Sequence, residues 1–316
     1  MLDLLGYAAY FLTTALTYGV ICLGLNVQWG QTGLFNVGVA GFVAIGAYAS
    51  ALLTAPEAAE RFGGFDLPII VGWLGAMVAA GLASLLVGAL TLRLRADYLA
   101  ITTFGVAISI QLVALNAQGL TGGPFGIAFI PRPFAGLQHD AVLFNLANFA
   151  LVAAVILVVF FGLERLVRGP WGRVLRAIRE DEPAAAALGK NARVYRLQAF
   201  VLGGAIMGLA GAMQGHLIGF IAPDNYLSAL TFQVWAMLIV GGSGNNRGAL
   251  LGAVVVWGLW SGSSALIAAV VPAADQARAA ALQIVMIGAL LAVILVLRPR
   301  GLLGERITVS RFVRSG

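Results

Sequence analysis

A chain of 316 residues with 60% hydrophobic and 10% charged residues, a formal net charge of +6 and a mean hydropathy of +0.95 cannot wet a globular surface of its own size. A soluble domain carries roughly 25% charged residues, so a water-exposed globule is excluded and lipid must cover most of this surface. The 41 glycines, nearly twice the usual ~7%, lie inside apolar runs and form no repeat, which suits membrane helices whose small residues let backbones approach closely.

The first eleven residues lack a basic n-region and a small-residue cleavage site, so they read as the start of a first span and not as a signal peptide. The single cysteine, Cys22, excludes an internal disulfide. Crossing a hydrocarbon core of ~30 Å takes about 20 apolar residues. No charge occurs between Asp3 and Glu57, and the polar break at 28–33 divides that stretch into crossings at 6–28 and 32–54. Further apolar windows follow at 67–92, 98–119, 142–163, 197–221, 227–241, 248–271 and 282–297. The 227–241 window would be only ~22 Å long as a helix, so it reads either as a short, steep span or as a broken, re-entrant element. The expectation is an all-α, polytopic membrane bundle of about nine spans (eight to ten). It forms one domain over 1–316, with a charged loop at 164–196 and a tail at 298–316.

Charge bias orients the bundle. Sixteen of the nineteen Lys and Arg fall on one side, in the 93–97 turn, the 164–196 loop, Arg247 and the tail. Arg61, Arg132 and Arg278 remain on the other. The positive-inside rule puts 164–196 and the tail in the cytoplasm, which with nine spans leaves the amino terminus outside. Topology accounts for the basic excess, so membrane lipid and no nucleic acid is the implied surrounding.

Soluble-enzyme chemistry finds no footing. The run Gly241 to Gly248 superficially resembles a phosphate loop but lacks the Gly-Lys-Ser/Thr ending and a preceding strand. Two histidines and one cysteine supply no metal-binding cluster, and His139 falls in an external loop. No catalytic residue, metal ligand or cofactor site is expected in this chain.

In the 164–196 loop, Arg173, Arg176 and Arg179 recur every three residues and Glu180, Asp181 and Glu182 follow at once. Pro183 suits the first turn of a helix, the Ala184–Ala187 run favours helix, and Gly189 is placed to cap it. Two readings stand: a basic loop resting on anionic headgroups, or a short helix lying along the membrane that docks into a cytoplasmic partner.

Within the spans, Gly211, Gly215 and Gly219 fall every four residues on one face, and Gly204 and Gly208 form a similar pair. Close packing against another helix follows from that spacing. His216 beside them either bonds a neighbouring carbonyl or lines a pathway, as intramembrane ionisable residues often do. Asn26, Gln28, Gln31, Asn36, Gln111 and Asn116 raise the same choice between inter-helix bonds and contact with a neutral or zwitterionic solute.

Several stretches in order resemble the LivM-type permease subunit of branched-chain amino acid ABC importers. They are 26–53 (NVQWGQTGLFNVGVAGFVAIGAYASALL), the TGGPFG element at 121–126, and the GRVLRAIREDEPAAAALGKN stretch, with Ala184, Ala185 and Gly189 at matching places. Gly211-Ala212, His216, Phe220 to Pro223, Gly241 to Gly244 and the tail Arg298 to Gly304 follow the same pattern. Three departures stand out: Val39 where the family has histidine, Pro183 in place of a glutamate, and Ala249 where proline is usual. The resemblance implies an ABC-importer permease fold in a bacterial inner membrane. Its partners would be a LivH-like paralogous permease, two cytoplasmic ATPase subunits of the LivG and LivF kind that hold ATP and Mg, and an external or periplasmic solute-binding protein. It further implies alternating access, with Arg173, Arg176, Arg179, Glu180, Asp181 and Glu182 in the ATPase-coupling element. Relatives of this shape also carry urea, short amides or small carboxylic acids. A self-sufficient channel or ion-coupled carrier is the rival class, but carriers usually hold buried carboxylates, and here carboxylates reach the spans only at their edges, at Asp97 and Glu164.

Overall fold

The apolar windows fold as helices in a computed structural model that describes residues 2–58, 61–272, 275–298 and 300–305. Helix α1 (Leu2–Thr32) is followed by α2 (Val39–Thr54), α3 (Ile69–Thr91), α4 (Ala96–Asn116) and the single turn α5 (Gln118–Thr121). Next come α6 (Ala141–Arg168), α7 (Pro170–Glu180), α8 (Glu182–Ala187) and α9 (Ala192–Ile218). The chain closes with α10 (Ser228–Gly241), α11 (Asn246–Val270) and α12 (Gln276–Leu297). Among the described residues six helices, α1, α3, α4, α6, α9 and α11, are long and apolar enough to cross a membrane. Helices α2 and α10 have 16 and 14 residues, roughly 24 and 21 Å of rise.

Burial sorts the helices. In their most apolar stretches α9 is 67% and α1 61% buried, against 22% for α4 and α6. Helices α1 and α9, with the short α2 that has no exposed residue, therefore form the axis, and α3, α4 and α6 turn apolar faces outward: Leu86, Ile101 and Val158 are all exposed. Glycines let the axis form. A Cβ at Gly203 would stand 2.6 Å from the Gly24 carbonyl oxygen on α1, and one at Gly211 would overlap the Val43 carbonyl on α2. Gly208 meets the Ala76 carbonyl of α3 in the same way, Gly204 leaves room for the Ser84 side chain, and Gly46 of α2 sits on the backbone of Gly208. Where no side chain is interposed, these backbones reach contact distance. The expected Gly211/Gly215/Gly219 face is corrected in part. Gly215 looks onto Ile221 and Ile130 in loops, with a Cβ position 3.1 Å from Cγ2 of Ile221. Gly219, at φ +81°, caps the end of α9.

The 227–241 window folds as one short, unbroken helix, α10, and the irregular backbone lies before it. Helix α10 starts beside α2, where the Thr231 hydroxyl accepts from the Ala40 N–H at 3.0 Å. The segment that leads to it, 219–227, is largely non-helical, yet Ile221 and Tyr226 are buried. Such backbone is tolerated at depth only where protein covers it. Here the TGGPFG loop provides the cover: Ile127 and Ile221 exchange both backbone hydrogen bonds, at 2.8 and 3.0 Å. Gly122, Gly123 and Gly126 take φ of +76°, +59° and +68°, a conformation that explains glycine at each place in the motif.

Candidate functional site

At one end of the bundle, α7 and α8 lie between α6 and α9. Pro170 occupies the first turn of α7 and Pro183 that of α8, as position and chemistry require. Leu175 and Ile178 of α7 are buried, and Ile178 packs on Ala185 of α8 and Ala192 of α9. Asp181 caps α8 by accepting from the Ala184 N–H at 3.0 Å. Gly189, at φ +75°, ends it: its N–H donates to Ala186 O and that of Lys190 to Ala185 O. This is the expected glycine cap. It holds Leu188, 79% exposed, at the tip of the element beside the exposed Ala184, Ala186 and Ala187.

The arginines divide. Arg173 is exposed, whereas Arg176 and Arg179 turn back onto the last turn of α1. Arg176 Nη1 donates to Gln31 Oε1 and to Val167 O, each at 3.3 Å. Arg179 donates to the Gly30 carbonyl and, through Nη2, to both carboxylate oxygens of Glu305 at 3.1 and 2.8 Å. Glu182 pairs with Arg196 at 2.7 Å, while Glu180 is exposed and stands 3.8 Å from Arg179. The charges at 176, 179 and 182 thus brace the element internally, and its free surface carries Arg173 and Glu180 together with the apolar tip of α8. The tail residues that carry Glu305 are themselves pinned to the α10–α11 turn, Leu302 N–H to Val240 O at 2.8 Å and Leu303 N–H to Gly241 O at 2.9 Å. Pro299 and the tail from Arg306 lie outside the described residues.

The spans' amides hold that same end together. Asn26 Nδ2 donates to Asn246 Oδ1 at 2.8 Å, its Oδ1 accepts from the Gly244 N–H at 2.8 Å, and Asn246 donates on to Glu164 at 3.0 Å. Gln31 donates to Gly244 O at 3.0 Å. Gln28 donates to Phe200 O on α9 and accepts from Asn36 Nδ2 at 2.7 Å; the Asn36 carbonyl accepts from Trp235 Nε1. These amides are fully buried and tie α1 to α2, α6, α9, α10 and α11. His216 is likewise engaged on both sides: Nδ1 lies 2.7 Å from Pro131 O and Nε2 2.9 Å from Ser50 Oγ. A carbonyl can only accept, so Nδ1 carries the proton and Nε2 accepts from the serine. Gln111 is half-buried on α4, and Asn116 is exposed and bonded to its own helix at Leu112 O. The six amides and His216, for which a pathway role was expected as one alternative, do not converge on one cavity.

One cavity lies at the opposite end, between α1, α6 and α9, with a volume of about 300 Å³. Tyr10, Thr13, Thr14, Thr17, Tyr18 and Ile21 line it from α1. Phe144, Asn145 and Asn148 of α6, Gln214, Leu217 and Ile218 of α9, and Arg132 complete its wall. Sequence reasoning missed it, although the signal was present: positions 10, 13, 14, 17, 18 and 21 recur at helical spacing, so five hydroxyls mark one stripe of an otherwise apolar helix.

Comparison with known proteins agrees with this architecture. The pattern of the family described as branched-chain amino acid transport system / permease component matches residues 7–295. The chain is 35% identical over 267 residues to the high-affinity branched-chain amino acid transport system permease protein LivM of Escherichia coli, covering 77% of this chain and 60% of that protein. It thus spans about 60% of that relative's length. It is also 28% identical to a probable LivM of Methanocaldococcus jannaschii, over 74% of this chain and 75% of the relative. A guanosine ABC transporter permease protein, NupQ of Bacillus subtilis, is 30% identical over 74% of this chain and 72% of its own. No solved structure matches. With the family pattern covering nearly the whole bundle, from α1 into α12, the chain belongs to the branched-chain amino acid transport system permease family.

Proposed function

We propose that this chain is the membrane-spanning permease subunit of an ABC importer that moves branched-chain amino acids across a bacterial inner membrane by alternating access. The observation that carries the reading is the build of α7–α8. An exposed apolar tip at Leu188 is joined through Arg176 and Arg179 to the last turn of α1, the axis of the bundle. A push on α8 from a cytoplasmic ATPase subunit would reach α1 directly. In this reading α2, α10 and α12 complete nine passes with α1, α3, α4, α6, α9 and α11. The amino terminus is then outside, and the coupling element and tail are cytoplasmic. ATP and Mg belong to two partner ATPase subunits, a LivH-like permease completes the membrane pair, and an external binding protein delivers the solute. The name of the Bacillus relative favours a nucleoside as the second reading of the cargo.

The test is uptake of radiolabelled leucine, isoleucine and valine by cells that lack their own carriers and express the chain with these partners. Accumulation that stops when ATP is depleted is the expected result. An assembled complex that accumulates guanosine and none of the three amino acids would overturn the cargo. Uptake by this chain without any ATPase subunit would overturn the class.

A further inference from the structure

We propose that the cavity between α1, α6 and α9 is a binding site for the zwitterionic head of an α-amino acid, a waypoint at the end of the bundle opposite the coupling element. The choice of ligand rests on the importer reading; the polarity of the site comes from the cavity itself. The wall is divided by hydrogen-bonding sense. Thr13, Thr14 and Thr17 each donate their hydroxyl proton to their own helix, at Ala9 O, Tyr10 O and Thr13 O over 2.7, 3.1 and 2.8 Å. What those oxygens have left is lone pairs. Asn148, 4% exposed, donates Nδ2 to Phe144 O at 2.9 Å, and its Oδ1 has no partner. Gln214 Oε1 is buried and unpartnered as well. A buried polar oxygen without a partner is rare in folded proteins, and here two share one wall with three hydroxyl acceptors. That wall suits a donor with several protons, which an ammonium group is.

The other end of the cavity carries the opposite sense. Arg132 is fixed by Nε and Nη2 donating to Leu217 O at 3.1 and 2.9 Å, with its guanidinium 5.0 Å from the centre of the Phe144 ring. Among the described residues no carboxylate pairs with it. A held guanidinium without a counter-ion is a carboxylate receptor. Asn148 lies four residues beyond Phe144 on α6, and Gln214 three residues before Leu217 on α9. The acceptors are therefore about one turn, roughly 5 Å, deeper than the cation. A carboxylate and an ammonium on one carbon can span such a step, leaving the hydrocarbon chain to the apolar side of the wall, at Ile21, Leu217 and Ile218.

The test uses the assembled transporter with Cys22→Ala and a reporter, Asn145→Cys, on the cavity wall. The rate of alkylation by N-ethylmaleimide is measured with L-leucine, with leucinamide, which lacks the carboxylate, and with 4-methylpentanoate, which lacks the ammonium. Leucine is expected to slow labelling severalfold and each single-charge analogue to do much less. Arg132→Gln should reduce leucine to the level of leucinamide, and Gln214→Leu should weaken leucine while leaving 4-methylpentanoate unchanged. If Arg132→Gln fails to assemble, Gln214→Leu decides alone. No protection by leucine overturns the site. Equal protection by all three compounds overturns it too, as the mark of a merely apolar or lipid-filled cavity. Leucine uptake without protection counts against the cavity alone, whereas protection without uptake counts against the importer reading alone.

Discussion

Asn26 illustrates what an amide does inside this bundle. Its two polar atoms meet Asn246 on α11 and the backbone of Gly244, and neither reaches solvent. Replacing it with leucine strands a buried acceptor and a buried N–H, each of which costs about 1–3 kcal/mol. Asn26→Leu should therefore lower the melting temperature of the purified subunit clearly, whereas Asn116→Leu, at an exposed position, should leave it within error. Equal melting of the two variants would refute the bracing role. That Asn26 and Gln28 are polar positions inside a span is legible in the sequence; that Asn36 falls in the linker between α1 and α2 is not. Nor are the partners of Gln28 and Asn26, because Phe200 and Asn246 lie 172 and 220 residues away from them. The cavity escaped for the opposite reason. Threonine bonds its own helix so readily that a threonine stripe looks like ordinary helix, and only the fold brings Arg132, Asn148 and Gln214 opposite it.

Among the elements, the α7–α8 unit shows how far a motif can be read. Its helices, their proline starts and the Gly189 cap follow from local chemistry. The direction of the arginines does not, since it depends on the end of α1 and on Glu305 at the far end of the chain. Two substitutions separate the internal and external faces. Leu188→Glu puts a charge on the exposed tip and should abolish co-purification of the ATPase subunits while leaving the permease's melting temperature unchanged. Arg179→Glu sets two carboxylates against each other at Glu305, and should lower that melting temperature before any partner is added. Stable Arg179→Glu protein with normal uptake would remove the bracing. The glycines of α9 divide in the same manner. Gly208→Leu drives a side chain into α3 at Ala76 and Ala80, and overpacking of this kind costs about 1–3 kcal/mol. Gly215→Ala meets side-chain methyls alone, the nearest being Cγ2 of Ile221 at 3.1 Å, and should cost far less than Gly208→Leu, which a comparison of melting temperatures checks.

For the whole molecule, composition alone dictates a helical membrane protein, and each of the apolar windows contains one helix. Sidedness rests on the arginines. With Cys22, which is buried, replaced by alanine, a cysteine at exposed Arg173 should resist an impermeant thiol reagent in intact cells, and one at exposed Ala128 should react. Labelling at 173 would invert the topology. The helix axis constrains any motion that such an orientation serves. Where α9 meets α1, α2 and α3, backbone lies against backbone: Gly203 on Gly24, Gly208 on Gly46 and on Ala76. Surfaces meshed that closely cannot slide by fractions of a turn, because every intermediate register would force a Cβ from a neighbouring position into a carbonyl. Helices α1, α2, α3 and α9 are therefore expected to move as one solid block. In the importer proposed above, whatever opens the path first to one side of the membrane and then to the other must tilt this block as a unit against a second one, a rocking motion and not a shear.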